Sequence, residues 1–441
     1  MKVGPAFLQT LTSQVVQTAA SLTAGIVIAR SLGPVGQGRY ALFVAAVGLV
    51  STLACVGQFE GHVLASAGEP SRGRLLLVRS LLQTVAAIVI LGLTLSVWRR
   101  GLGLEGESGL TRLLVLVFTC EVLALLFRGI NLGQHNVTAY NVASLVHRIA
   151  FLASVGTLAA FHALRIDTVL SAWLGAVGLS VLVSGAWIWK RSGAVAFSWV
   201  RISAGWGASL SRGLRALLAI SLTLVLVRTD IYMLGPMLGV RAVGQISVAS
   251  TLAEYLWYVP SILSSVLFAA VAASQGPEAI AKLCRASRTT VATLAPIALV
   301  LLLVGRGLVP IIYGSAYAEA GTLFVLLVPG MFAISLHLVI DSYFAGSGFP
   351  PITYAAAGAA LLLKITLNLV AVPRFGLAGA ATTTSLVYAC LLTVKVIAFR
   401  RATGVSLATV LRPSWSDIRY AIAVGRSWVQ RFGAAAVDVR V

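Results

Sequence analysis

Glu121, Arg148, Arg228, Asp230, Glu254, Asp341 and Lys364 each stand within a long apolar run of this 441-residue sequence. An ionised side chain surrounded by hydrocarbon is costly unless it faces water, a partner or a ligand. The chemistry open to such residues is electrostatic: cations hold an anionic group at depth, and carboxylates take up and release a proton or a cation. At 1.5 Å per helical residue, Glu121 lies about 15 Å and Arg148 about 14 Å from the ends of their runs, near the middle of a ~30 Å hydrocarbon core. The two are placed to pair, or Arg148 to line a wet cavity. Lys364 has no acid at its own depth, which favours a cavity-lining role. Arg228 and Asp230 are two residues apart and cannot share a helix face, so one is expected to face a cavity and the other a neighbouring helix. Glu254 and Asp341 are further candidates for coupling to a proton or cation. Gln14 and Gln17 join Thr10, Thr18 and Ser21 in a polar stripe, suited either to a wet cavity or to a hydrogen-bonded helix contact.

The elements that must position these residues follow from composition. With 59% hydrophobic and 10% charged residues and a mean hydropathy of +0.95, the chain has more apolar surface than a water-soluble fold can bury. Runs long enough to cross a bilayer as α-helices fall near 6–30, 40–60, 75–97, 111–128, 139–162, 168–189, 213–235, 242–272, 290–309, 320–345, 351–371 and 376–398. The expected class is an all-α membrane protein of about twelve transmembrane helices. The first run carries Gln9, Gln14 and Gln17 and lacks a small-residue cleavage site, so it reads as a retained helix rather than a signal peptide. Basic residues favour the segments that are inside if the N-terminus is cytoplasmic, twenty against nine, which places both termini in the cytoplasm. Beyond Arg400, Trp415, Ile418, Ile422 and Val429 form a helical stripe flanked by Arg412, Arg419 and Arg426, the pattern of a basic amphipathic tail at the membrane surface.

Several function classes are excluded or disfavoured by what the sequence lacks. The net charge of +20 flanks membrane spans and meets anionic lipid, with no soluble domain to read nucleic acid. Cys55, Cys120, Cys284 and Cys390 show no metal or redox spacing and read as small packing residues. No metal or other cofactor is expected. His62, His135, His147, His162 and His337 sit in no nucleophile motif, and Glu105 with Glu107 are the only close carboxylates, so no enzyme activity is expected.

An internal repeat organises the spans. Leu32-Gly33 and Val35-Gly36-Gln37 recur as Leu238-Gly239 and Val243-Gly244-Gln245, offset by 206 and 208 residues. The stretch before the fifth span, "GQHNVTAY", resembles "GSGFPPITY" before the eleventh, and each is followed by basic residues, His147 and Arg148 in one half and Lys364 in the other. The chain therefore divides into two six-helix bundles related by a parallel repeat: residues 1–190, a linker over 191–212, a second bundle over 213–400 and a tail over 401–441. Gly36 and Gly244 are expected to allow close approach of helix ends. Arg30 and Arg39 stand at the outer ends of the first two spans, where they anchor the chain at the interface or meet an anionic group.

The segments "ARSLGPVGQGRYALF", "RTDIYMLGPMLGVRAVGQISVASTLAEYLWYVPSILSSVLF" and "LNLVAVPRFGLAGAATTTSLVY" resemble the polysaccharide (O-antigen type) flippases of the multidrug/oligosaccharidyl-lipid/polysaccharide exporter superfamily. Ile246 stands where tyrosine is common in that family, and the proline usual at the end of the eighth span is missing. The resemblance implies a flippase of the bacterial cytoplasmic (inner) membrane that moves a polyprenyl-pyrophosphate oligosaccharide by alternating access for export of a cell-surface polysaccharide. Its partners would be the lipid-linked glycan, anionic lipids and other polysaccharide assembly proteins. It also favours Asp230 for a structural or coupling role. Two alternatives stay open: a small-molecule cation exporter on the same fold, whose cavity should be acidic, and a membrane polymerase or ligase of polysaccharide assembly, which would normally expose a larger outer loop.

Overall fold

A computed structural model describes residues 5–55, 58–68, 72–101, 107–192, 206–273 and 276–419, which are helical apart from short turns and include no strand. In chain order the helices are α1 Pro5–Cys55, α2 Gln58–Gly68, α3 Gly73–Gly101, α4 Ser108–Gly133, α5 Val137–Ala160, α6 Ile166–Arg191, α7 Trp206–Leu238, α8 Val240–Ala273, α9 Pro277–Tyr313, α10 Ala318–Gly346, α11 Pro351–Thr403 and α12 Leu407–Leu411. Eight described stretches are long and apolar enough to cross a membrane, and two of these are double. α1 breaks at Gly33 (φ 66°, ψ −178°) just before Pro34, and α11 breaks at Gly376 (φ 58°, ψ −139°) shortly after Pro373. Proline removes a helical donor and glycine reaches positive φ at little steric cost, so these two breaks fall where the sequence places span ends. With α3 of 29 residues and α8 of 34, the twelve expected spans are all present, and the chain is an all-α multi-pass membrane protein.

The backbone carries the repeat independently of side-chain similarity. Left-handed residues occur at Gly33 (φ 66°) and Gly239 (φ 85°), which are 206 residues apart, and at His135 (φ 55°) and Phe349 (φ 55°), which are 214 apart. His162 (φ 52°) and Gly376 (φ 58°) are also 214 apart. A left-handed conformation is uncommon for a residue with a Cβ. Its return in the turns that end the first, fourth and fifth spans, and again in those that end the seventh, tenth and eleventh, at offsets of 206 and then 214 residues, marks two copies of one topology running in the same direction.

The chain forms two compact units, Met1–Ser247 with Ile312–Ala316, and Val248–Ile311 with Tyr317–Val441. In the first, Cys55, Ala87, Leu91, Phe118, Val122 and Leu126 close a core between α1, α3 and α4. In the second, Leu283, Cys284, Ile340, Phe344, Val396, Phe399 and Val410 form a core that draws in α12. Cys55 and Cys284 pack as expected, whereas Cys390 is exposed, and all four thiols are free.

The described part of the tail folds in short pieces, and residues 415–419, which carry Trp415 and Ile418 of the expected stripe, are helical. Gly404, at φ 73°, caps α11 by passing its N–H to Arg400, α12 starts at an N-cap Ser406 that accepts from the Thr409 N–H at 3.2 Å, and residues 412–414 are not helical. Val410 is buried in the core and Asp417 lies under Arg288, so these two anchor the segment while Trp415 stays exposed. Ile422, Arg426 and Val429 lie outside the described residues.

Candidate functional site

The first unit holds one cluster of polar and aromatic side chains around Glu121. Every fourth residue of α5 turns to the same side, and Ala139, Ala143, His147, Phe151 and Val155 form a buried row along it. His147 lies on that row, so its Nε2 approaches Glu121 Oε1 of α4 at 3.8 Å. Trp173 of α6 donates its indole N–H to the same oxygen at 2.8 Å, and the Tyr40 ring of α1 meets Trp173 edge-on with centroids 6.2 Å apart. Glu121 is thus held by groups from α5 and α6, with α1 behind them. Arg148, one residue on, is rotated by about 100° about the helix axis; it is exposed and makes no ion pair with Glu121. The pairing the sequence suggests for Glu121 and Arg148 is replaced by Glu121 with His147 and Trp173.

The polar stripe of α1 divides between two roles. Gln9 donates to Thr138 Oγ1 at 3.3 Å, and Asn141 donates to Thr10 Oγ1 at 3.1 Å, so its first turns are hydrogen-bonded to α5. Gln17 donates to Ser13 Oγ at 2.8 Å within α1. Gln14 and Gln17 are half-buried.

The joint between α7 and α8 packs against the bend of α1 by a reciprocal contact. A Cβ on Gly38 would lie 2.0 Å from the Val240 carbonyl oxygen, and one on Gly244 would lie 1.9 Å from that of Pro34. Positions 34 and 240, like 38 and 244, are 206 residues apart. The register is therefore 206 across this joint, and Gly38 rather than Gly36 is the counterpart of Gly244. A Cβ on Gly36 would meet Leu32 of its own helix at 2.6 Å. Tyr232 donates to the Ala45 carbonyl at 2.8 Å, Gln245 to that of Ala316 at 2.7 Å and Arg30 to that of Ile312 at 2.7 Å. Asp230 is buried and Arg228 half-buried on α7. At the end of this unit where α4 begins, Arg39 stands 3.8 Å from Glu107.

The second unit buries two lysines. Lys364 is fully buried, its Nζ 5.4 Å over the Tyr388 ring; it stands opposite Ala150 by the 214-residue offset, while Arg148 stands opposite Leu362. The two basic residues are thus on different faces of repeat-related helices, not at one equivalent place. Lys395 pairs with Asp341 at 2.5 Å and lies 4.8 Å over Phe344, with His337 buried one turn before Asp341. Lys395 is missing from the sequence reading because it sits close to the end of its span, where a basic residue reads as a flank. Glu254 is buried on α8. Outside the spans, Arg288 donates to Asp417 at 2.7 and 3.4 Å and to the Thr409 carbonyl at 2.8 Å. That guanidinium contact pulls the Asp417 carboxyl down to about 2 against the opposing effect of burial.

No family model matches the sequence, and no curated protein does. Solved structures match the fold over nearly its whole length. One is an inward-facing multidrug resistance MATE family transporter of the MOP superfamily, with 15% identity, 88% of this chain and 94% of that one covered, and a TM-score of 0.68. The lipid II flippase MurJ, in an inward closed conformation, matches with 12% identity, 95% and 93% coverage and a TM-score of 0.70. A MOP superfamily transporter from Pyrococcus furiosus, described as having a binding pocket of reverse polarity that suggests a different function, matches with 16% identity, 91% and 94% coverage and a TM-score of 0.65.

Proposed function

We propose that this protein is a flippase that moves a polyprenyl-pyrophosphate oligosaccharide across the bacterial cytoplasmic membrane, with both termini cytoplasmic, as a step in exporting a cell-surface polysaccharide. The observation that carries the reading is the state of the charges around Glu121. Glu121 is committed to Trp173 and His147, while Arg148 is exposed beside them. A polar interior whose acid is occupied and whose cation is presented suits an anionic cargo. The polyprenyl chain stays in lipid, and Arg148, with Gln14 and Gln17 on α1, offsets the cost of bringing pyrophosphate and sugars to the midplane. Arg228 is a second candidate contact from α7. Lys364 joins them only in a state that uncovers it from Tyr388. Asp230, Glu254 and Asp341 are the candidates for coupling, Asp341 through exchange of its Lys395 partner. The fold shared with a lipid flippase and with multidrug transporters accommodates such a cycle of alternating access.

The test is Arg148→Ala in the native host. Surface glycan should fall at least about tenfold, the effect of roughly 1.4 kcal/mol of lost stabilisation, with protein abundance unchanged and lipid-linked glycan accumulating inside. Full export by this variant would remove Arg148 from the mechanism. Efflux of cationic dyes that Arg148→Ala leaves intact would instead favour a cation exporter.

A further inference from the structure

A groove of about 670 Å³ runs along the first unit between α3 and α6, floored by α4, on the surface away from the Glu121 cluster. Its walls are apolar: Leu81 and Leu182 are 50% and 71% exposed there, with Phe127 and Val181 behind them. Only Arg74 and the Trp189 indole bring polarity to its lining. Both lie at one end. Arg74 is in the first turn of α3 and Trp189 in the last turn of α6, so they share the membrane surface at which the exposed Arg72, Lys190 and Arg191 stand. The guanidinium lies 4.2 Å over the Trp189 ring and donates through Nη2 to the Trp189 carbonyl at 3.3 Å. Its buried Nε has no hydrogen-bond partner.

We propose that this groove binds a membrane phospholipid with an anionic headgroup, its phosphate on Arg74 and one acyl chain along α3 and α6. Arg74 is half-buried and gives one bond to the Trp189 carbonyl, so a phosphate oxygen can accept from the guanidinium donors left over, and the stacked indole fixes the plane in which they point. From Arg74 to Leu81 the groove descends about 10 Å, a third of the hydrocarbon core, which suits the upper part of an acyl chain. The surrounding basic rim attracts an anionic rather than a zwitterionic headgroup. With no hydroxyl, amide or carboxylate in the lining, the groove has nothing to recognise sugars, which separates it from a site for the transported glycan. Its placement in the inner leaflet rests on the orientation proposed above.

The full-length protein, purified in mild detergent, would be mixed with equimolar phosphatidylglycerol and phosphatidylcholine and read by native mass spectrometry. The wild type should retain phosphatidylglycerol about five- to tenfold better. Arg74→Gln should erase that preference, and Leu182→Trp, which fills the groove from an exposed position, should lower retention of both lipids. Thermal midpoints measured without added lipid check that the variants are folded. Equal retention of the two lipids by the wild type, or an unchanged preference in folded Arg74→Gln, overturns the proposal. Displacement of phosphatidylglycerol by equimolar undecaprenyl phosphate overturns the choice of occupant, assigning the groove to the carrier chain. None of these outcomes depends on transport, so the flippase reading stands or falls separately.

Discussion

Glu121 illustrates how a charge at depth acquires its partner. The depth estimate brings it level with α5, and two basic side chains, His147 and Arg148, are available there. Which one faces α4 is decided by the helical period, and the row Ala139, Ala143, His147, Phe151, Val155 was already written in the sequence as small or apolar residues at four-residue spacing. His147 belongs to that row and Arg148 does not. Trp173 was not legible in the same way, because its indole reaches Glu121 only through the packing of α6 on α4. The geometry makes a prediction. Glu121→Ala leaves the Trp173 N–H without its acceptor and should cost about 1–3 kcal/mol, read as a lower thermal midpoint in detergent. Glu121→Gln keeps an acceptor oxygen and should recover most of the loss. A Gln variant as unstable as the Ala variant would show that the negative charge, not the hydrogen bond, holds the cluster.

At the scale of elements, the spans were legible because hydrocarbon thickness fixes their length, and the breaks because Gly33–Pro34 and Pro373 with Gly376 end helices by mechanisms visible in any sequence. The register of the repeat was less legible. The string Val-Gly-Gln matches at an offset of 208, yet the joints are counted from the left-handed glycines, and these are 206 apart. Gly38→Ala and Gly244→Ala should therefore each lower the thermal midpoint by several degrees, since either methyl would press on a carbonyl of the opposite joint. Gly36→Ala strains its own helix at Leu32 and should leave the opposite joint in place. Cysteine crosslinking between the two joints would tell these apart, and equal loss of crosslinking in Gly36→Ala would return the contact to that residue. The seven-residue arginine spacing of the tail cannot show that Gly404 stops the preceding helix or that Asp417 folds back under Arg288. Because the Asp417 carboxyl is held at about 2, its contribution is present above the ordinary carboxylate value and is lost only as pH falls towards 2. Limited proteolysis of the tail should be equal at pH 5 and pH 8, and faster in Asp417→Asn at both. A rise in cleavage between pH 8 and pH 5 would mean that another group secures the segment.

For the whole molecule, fold class follows from composition and span count, whereas cargo does not, since the same architecture serves a lipid flippase and multidrug transporters. Orientation rests on the loop charges. Single cysteines at 208 and 281 of a cysteine-free protein should resist an impermeant thiol reagent in whole cells, and one at 109 should react. The reverse pattern would invert the chain in the membrane and move the Arg74 groove to the opposite leaflet.

The contact of Gly38 with Val240 and of Gly244 with Pro34 has a further meaning. Each partner of one contact is the repeat-mate of a partner in the other, which is how identical surfaces meet across a two-fold axis. A polypeptide half this long, carrying one joint of this kind, would already hold both the projecting carbonyl and the bare glycine needed to receive a second copy of itself. Duplication and fusion of its gene would then have required no new surface at this point. The two sides of a fused chain need not stay identical, and here they differ: Pro34 stands where its counterpart is Val240, with glycine at both 38 and 244.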